Sequence, residues 1–441
     1  MARGLAETAR SPSTATERSD RSLPPGLGPQ VAPPDRGQGL PSLGWALLLP
    51  LAALLAFLIW HLYQRIDPTH GFDYQGHLDY VRYIDLSASL PLASQGWEMY
   101  HPPAYWALAA ASFELIHRLG AGLTLTDAGQ GLATAAWILE GVVAAILVRV
   151  LGGNWIGAAA AAALSWLLIG QSIVGTALYN ETLTGLGVGT LLLGGALWYQ
   201  RRPGGLVVLG IGFALAILSK YSGLLAALVA VPIIVWVTRE RLKPVLMALL
   251  PGAVIGMLVY GRNLLAFGTP VPSNIDIFKL RTFDSMGWGH PAGYFTTLSP
   301  GFCAAPHSFW MGLWKWLWAT DCLPMAPWRN VVEGKLLVVA LATTAIIVVA
   351  LVWASIRSRR DPRLLMLPAS AIVVIGGVIA YNIKWPAISN DKGVYLLAAI
   401  VPVAAAVGLL VHRLSHRRLA GLLAYAAILG WSAFMVHAAL G

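Results

Sequence analysis

Asp73 and His77 stand four residues apart in the stretch Gly71-Phe-Asp-Tyr-Gln-Gly-His-Leu-Asp-Tyr-Val-Arg-Tyr-Ile84. With Tyr80 they would share one face of a helix. A carboxylate held just above a bilayer in a partly dry cleft suits general-base work, and His77 could orient it or bind an acceptor hydroxyl. The plainer alternative is a solvated amphipathic helix with its charges in water. Next comes Trp97-Glu-Met-Tyr-His-Pro-Pro-Ala-Tyr-Trp106, where two prolines set the chain direction just before a helix. His101 and Tyr105 then lie at the helix start, facing the same cavity as Asp73. An interfacial aromatic belt explains Trp97, Tyr105 and Trp106 equally well, and His101 less well.

Tyr179-Asn-Glu-Thr182 puts a carboxylate at the end of an apolar block. Helix capping is the default reading of Asn180 and Glu181, because an acidic group is favoured at a helix N-terminus. Contact with an acceptor or a sugar is the alternative. Lys220, Arg262 and Lys392 fall at one level, on the side where the positive-inside trend disfavours a cation. Boundary cations on the wrong side are functional candidates, and three together suit a phosphate or pyrophosphate at the lipid headgroup. Singly, each also reads as a snorkelling anchor.

The elements that must position these residues are membrane spans. Of 441 residues, 57% are hydrophobic and 11% charged, against roughly 25% charged in a soluble domain. That leaves too little polar surface for a water-soluble globule. The apolar residues fall in blocks near the roughly 20 residues that a helix needs to cross a bilayer. Each must be helical, because lipid leaves strand backbones unpaired. After a first span over 42–62, the blocks run 103–119, 128–149, 155–173, 181–199, 204–219, 221–238, 244–264, 335–356, 364–382, 393–411 and 418–438. Residues 1–43, rich in Pro, Ser, Gly and Arg, read as a disordered cytoplasmic tail.

Basic connectors set the orientation. They occur at Arg201–Arg202, at Arg239, Arg241 and Lys243, at Arg357, Arg359, Arg360 and Arg363, and at Arg413, Arg417 and Arg418. All belong in the cytoplasm with the tail, which requires one block before residue 149 not to cross. The block 103–119 is the weakest, since it follows Pro102–Pro103 and carries Glu114, His117 and Arg118. It is expected as an outer juxtamembrane or re-entrant helix. The expected fold is an all-α transmembrane bundle of about eleven spans, with the N-terminus inside and outer loops over 63–127 and 265–334. The net charge of +10 sits at span ends and not on a soluble face, which excludes nucleic acid as a partner. Cys303 and Cys322 share one loop, and either a disulfide or two thiols fits them. Glu140, near mid-span, could be a relay residue, but reads first as a buried carboxyl bonded to a neighbouring helix.

The Asp73-to-His77 segment, the HPPAYW at 101–106, the YNET at 179–182, the SKYSG at 219–223 and the GRNLLAFGTP at 261–270 occur in a familiar order. The chain resembles bacterial members of the GT-C superfamily, nearest the polytopic glycosyltransferases related to protein O-mannosyltransferases and to the lipid A aminoarabinose transferase. The resemblance covers most of the chain after residue 44. It implies a GT-C-like domain over 44–441 in a bacterial inner membrane and a polyprenyl-phosphate-sugar donor in the outer leaflet. It implies inverting transfer with Asp73 as base, and it matches the family's His-Pro-Pro element to His101, Pro102 and Pro103. The O-mannosyltransferases carry Asp then Glu at the base position, and here Tyr74 replaces the second acid.

On physical grounds Lys220, Arg262 or Lys392 would stabilise the leaving phosphate. His77, His101, Tyr105, Asn180 and Glu181 would contact acceptor or sugar. No metal cluster is visible in the sequence, so metal-independent transfer is expected, with a divalent metal left open. The acceptor is an unidentified glycan, lipid or protein hydroxyl. The competing class is a transporter or lipid flippase, against which stands the lack of an inverted repeat. A non-catalytic anchor is a third reading.

Overall fold

The computed structural model describes residues 41–67, 69, 73–278, 293–296, 308–318, 334–385 and 392–440. The expected tail over 1–43 lies outside these residues except for its last three, which begin a short helix, α1 (Pro41–Ala46). Cys303 and Cys322 lie outside them too, as does most of the loop 265–334.

Among the described residues every regular element is helical. After α1 come α2 (Leu49–Arg65), α3 (Tyr74–Ser87), α4 (Ala104–Arg118), α5 (Leu125–Val150) and α6 (Trp155–Leu167). Then follow α7 (Ile169–Val174), α8 (Glu181–Tyr199), α9 (Gly205–Ser219), α10 (Tyr221–Val237), α11 (Leu242–Phe267) and α12 (Asn274–Ile277). The chain closes with α13 (Phe309–Trp318), α14 (Gly334–Arg357), α15 (Met366–Lys384), α16 (Ile400–Leu414) and α17 (Arg418–Leu440). Eight helices are long and apolar enough to cross a bilayer, and α6, α9 and α10 are shorter apolar helices. Together these account for the eleven expected spans. The 15-residue α4 is not among them. Its last turn carries an exposed Arg118–Glu114 ion pair at 2.7 Å, which hydrocarbon would not solvate.

The packing is that of a membrane protein. α6 buries its whole run Ala158–Ala163 between α5 and α16, where small side chains let backbones approach closely. Large apolar residues instead point outward on α11, α14 and α17, Leu265 being 90% exposed. A surface of that kind is stable only against lipid tails.

Two departures from regular spans matter for the site. The expected span 155–173 is broken at Leu168, whose φ of −67° and ψ of 126° separate α6 from α7. The expected span 393–411 begins with seven 3₁₀ residues, Gly393–Ala399, before α16. The first polar segment, α3 through α4, packs onto the bundle through Leu78, Tyr80, Val81, Tyr105 and Trp106, against Ala133, Ala136, Leu178 and Leu183.

Candidate active site

α3 starts where it does because Asp73 leaves the helical path, with a left-handed φ of 57°. Asp tolerates that region better than most residues. Asp73 therefore precedes the helix instead of sharing its face with His77 and Tyr80, which are both buried. Its carboxylate accepts from Trp97 Nε1 at 2.8 Å and from Lys392 Nζ at 3.4 Å. The Asp73 side chain keeps 35% exposure and that of Lys392 10%. Burial alone would raise the Asp73 carboxyl. The Lys392 charge, helped by His77 and by the two hydrogen bonds, outweighs it and holds the group below the usual carboxylate range.

Behind this pair lies Glu98, which sequence reasoning passed over. It is 4% exposed. Its Oε2 stands 3.1 Å from His101 Nε2 and 4.0 Å from His77 Nδ1. Close approach is possible because residue 76 is glycine: a Cβ there would lie 2.8 Å from Glu98 Cγ. Burial pushes the Glu98 carboxyl up to about 7, partly countered by His77. Burial likewise holds His77 and His101 below the imidazole range. The Nδ1 atoms of His77 and His101 are buried and have no hydrogen-bond partner in the protein. Trp106 stacks on both rings, at 5.8 Å from each. The signal available in the sequence was the spacing Glu98-x-x-His101, hidden among aromatic residues.

A second ion pair, Lys220 with Glu181, is almost fully buried. Lys220 is the single extended residue between α9 and α10, and its ammonium lies 4.9 Å from the Tyr395 ring. Asn180 Nδ2 donates to the Ser219 carbonyl at 2.9 Å, which ties α8 to the same corner. Asn180 Oδ1, Glu181 Oε2 and Ser219 Oγ are buried without protein partners. The charges of Glu98, Glu181 and Asp73 all act on His77, and those of Lys220 and Lys392 on Glu98. These residues thus converge on one end of the bundle. At the other end of α8, Arg241 and Arg363 lie over the rings of Trp198 and Tyr199.

Two of the expected site residues take other positions. The Tyr105 hydroxyl donates to the Gly129 carbonyl at 2.8 Å and pins α4 to α5. Arg262 donates to the Leu90 carbonyl at 3.2 Å. It lines a groove of about 540 Å³ on α11 with Met257, Leu258 and Leu265, and its charge reaches Tyr80. Among the described residues no group of three metal-ligating side chains forms.

No protein-family model and no curated protein sequence matches the chain. Solved structures do. ArnT from Cupriavidus metallidurans in the apo state aligns over 90% of this chain and 76% of its own, with a TM-score of 0.52 and 13% identity. The chain shares the fold of this ArnT structure. ArnT from the same organism bound to undecaprenyl phosphate aligns over 90% and 75%, with a TM-score of 0.49 and 14% identity. Its eight long apolar helices make the chain a multi-pass membrane protein.

Proposed function

We propose that the chain is a membrane glycosyltransferase that moves a sugar from a polyprenyl-phosphate donor to an extracytoplasmic acceptor hydroxyl, with inversion and with Asp73 as general base. The observation that carries this reading is the partly open Asp73 carboxylate held against Lys392 at one end of a GT-C bundle. As the acceptor oxygen attacks the anomeric carbon, the bond from that carbon to the phosphate oxygen breaks and polyprenyl phosphate leaves. Asp73 takes the acceptor proton. Protonation removes the negative charge that Lys392 neutralises, so Lys392 becomes available to the leaving phosphate as its charge develops. Lys220 and Glu181 neutralise one another, so Lys220 contributes less free positive charge than an unpaired cation would. Arg262, on the lipid-facing side of α11, suits the approach of the anionic lipid headgroup. His77, His101, Asn180 and Glu181 present buried polar atoms without protein partners, which suits sugar or acceptor hydroxyls.

The Lys/Arg asymmetry supports an inner-membrane orientation with Arg201, Arg241 and Arg363 in the cytoplasm and Asp73 outside. Incubating the purified protein with polyprenyl-phosphate sugars and following release of polyprenyl phosphate tests the proposal. Release that requires Asp73 is expected. Transport of the lipid without cleavage would favour the flippase reading instead.

A further inference from the structure

Glu140 lies inside the span α5, 0% exposed, far along the helix from the polar end. Its Oε2 accepts from Gln171 Nε2 on α7, the half-helix created by the break at Leu168. This is the neighbour-bonded carboxyl that its mid-span position led one to expect. Its other oxygen, Oε1, is buried and accepts no hydrogen bond in the protein. Among the described residues no cation lies within ion-pair distance of it.

Oε1 does face something. It converges with the carbonyl oxygen of Leu397 on Gly185 of α8. A Cβ built at Gly185 would lie 2.0 Å from Glu140 Oε1 and 2.9 Å from the Leu397 oxygen. The two oxygens are thus within about 5 Å of each other across a glycine that leaves the gap clear. A carboxylate oxygen and a carbonyl oxygen facing one dry gap repel, whereas a proton on the carboxyl makes it a donor to that carbonyl. An unpaired carboxylate in hydrocarbon is far costlier than a neutral acid. The Leu397 carbonyl already accepts the Ile400 N–H and has a second lone pair to offer.

Leu397 belongs to the 3₁₀ stretch Gly393–Ala399. Seven residues is long for that geometry, which rarely exceeds about four and is weakly bonded. Something outside must hold it. The stretch matters because Lys392 flanks it and Tyr395, under the Lys220 ammonium, lies within it.

We infer that Glu140 is a positioning residue: as a neutral acid it donates to the Leu397 carbonyl and so fixes the 3₁₀ segment that presents Lys392 to Asp73. This rests on the proposed transfer reaction only for its effect on activity, because the anchor itself is structural. Glu140→Gln keeps a donor on the same atom, whereas Glu140→Met removes it without opening a large cavity.

Hydrogen–deuterium exchange of the full chain in lipid nanodiscs, read on peptides covering 393–399, tests the inference. E140M should exchange there roughly fivefold faster or more, the loss of one buried hydrogen bond, while α8 and α9 stay protected. E140Q should match the native protein. If E140M does not accumulate, Glu140→Leu, which also lacks a donor, should loosen the same peptides. Unchanged exchange in E140M, or E140Q as fast as E140M, overturns the anchor. If the native chain releases no polyprenyl phosphate yet the exchange pattern holds, the transferase reading fails and the anchor stands.

Discussion

Lys392 Nζ reaches Asp73 Oδ2 at 3.4 Å across 319 residues of sequence. The contact joins the residue before α3 to the residue before the 3₁₀ segment. Lys392 is the largest influence opposing the burial of Asp73. Removing Lys392 should therefore raise the Asp73 pKa. In Lys392→Met, the acidic limb of the pH–rate profile is expected to move to higher pH, and the maximum rate to fall about 10²- to 10³-fold with the lost charge stabilisation. Steady-state release of polyprenyl phosphate between pH 5 and 9 measures both. An unmoved acidic limb would mean that Lys392 does not tune the base.

Asp73→Asn isolates the charge. Asparagine tolerates the left-handed backbone at this position as readily as aspartate, and its carboxamide oxygen still accepts from Trp97. The fold should persist with a modestly lower thermal midpoint, since Lys392 loses its partner, while turnover falls about 10²- to 10⁴-fold, the usual range for loss of a general base. Full activity in this variant would assign the proton transfer elsewhere, with Glu98 the nearest candidate.

Glu98 makes a separate prediction about stability. Its pKa rises from the ordinary 4.5 to about 7 on burial. The folded state holds that proton more tightly than the unfolded state. The contribution is fully present below pH 4.5 and is lost as pH rises through 7. Over that window the native protein should lose on the order of 3 kcal/mol relative to Glu98→Gln. Thermal midpoints in detergent, compared at pH 5 and pH 8, should fall more for the native chain than for E98Q. Equal slopes would place Glu98 in contact with water.

How much of this was legible beforehand follows from the range of each interaction. The eleven spans announce themselves because hydrocarbon imposes a length and a composition on each helix separately. Asp73 and His101 were legible as polar residues out of place at a membrane boundary. The break at Leu168 was not, since α6 and α7 are equally apolar and only tertiary packing separates them. The partner of each cation was not legible either. Lys220 and Lys392 look alike in sequence, yet one is neutralised by Glu181 in the interior and the other faces an open carboxylate. Glu98 escaped notice because its neighbour Trp97 reads as part of an interfacial belt, and only folding brings the second imidazole, His77, to it.

The Lys220–Glu181 pair is expected to matter for folding more than for chemistry. Both side chains are below 10% exposed, so deleting one leaves the other charged and unpaired in the interior. Lys220→Met should destabilise the protein by about 3–5 kcal/mol. The double variant Lys220→Met with Glu181→Gln removes both charges and should recover most of that loss, since a neutral pair of similar size avoids the desolvation penalty. A double-mutant cycle on thermal midpoints measures the coupling. If the double variant remained as unstable as Lys220→Met alone, packing and not charge would explain the loss, and Lys220 would regain its standing as a free cation for the donor phosphate.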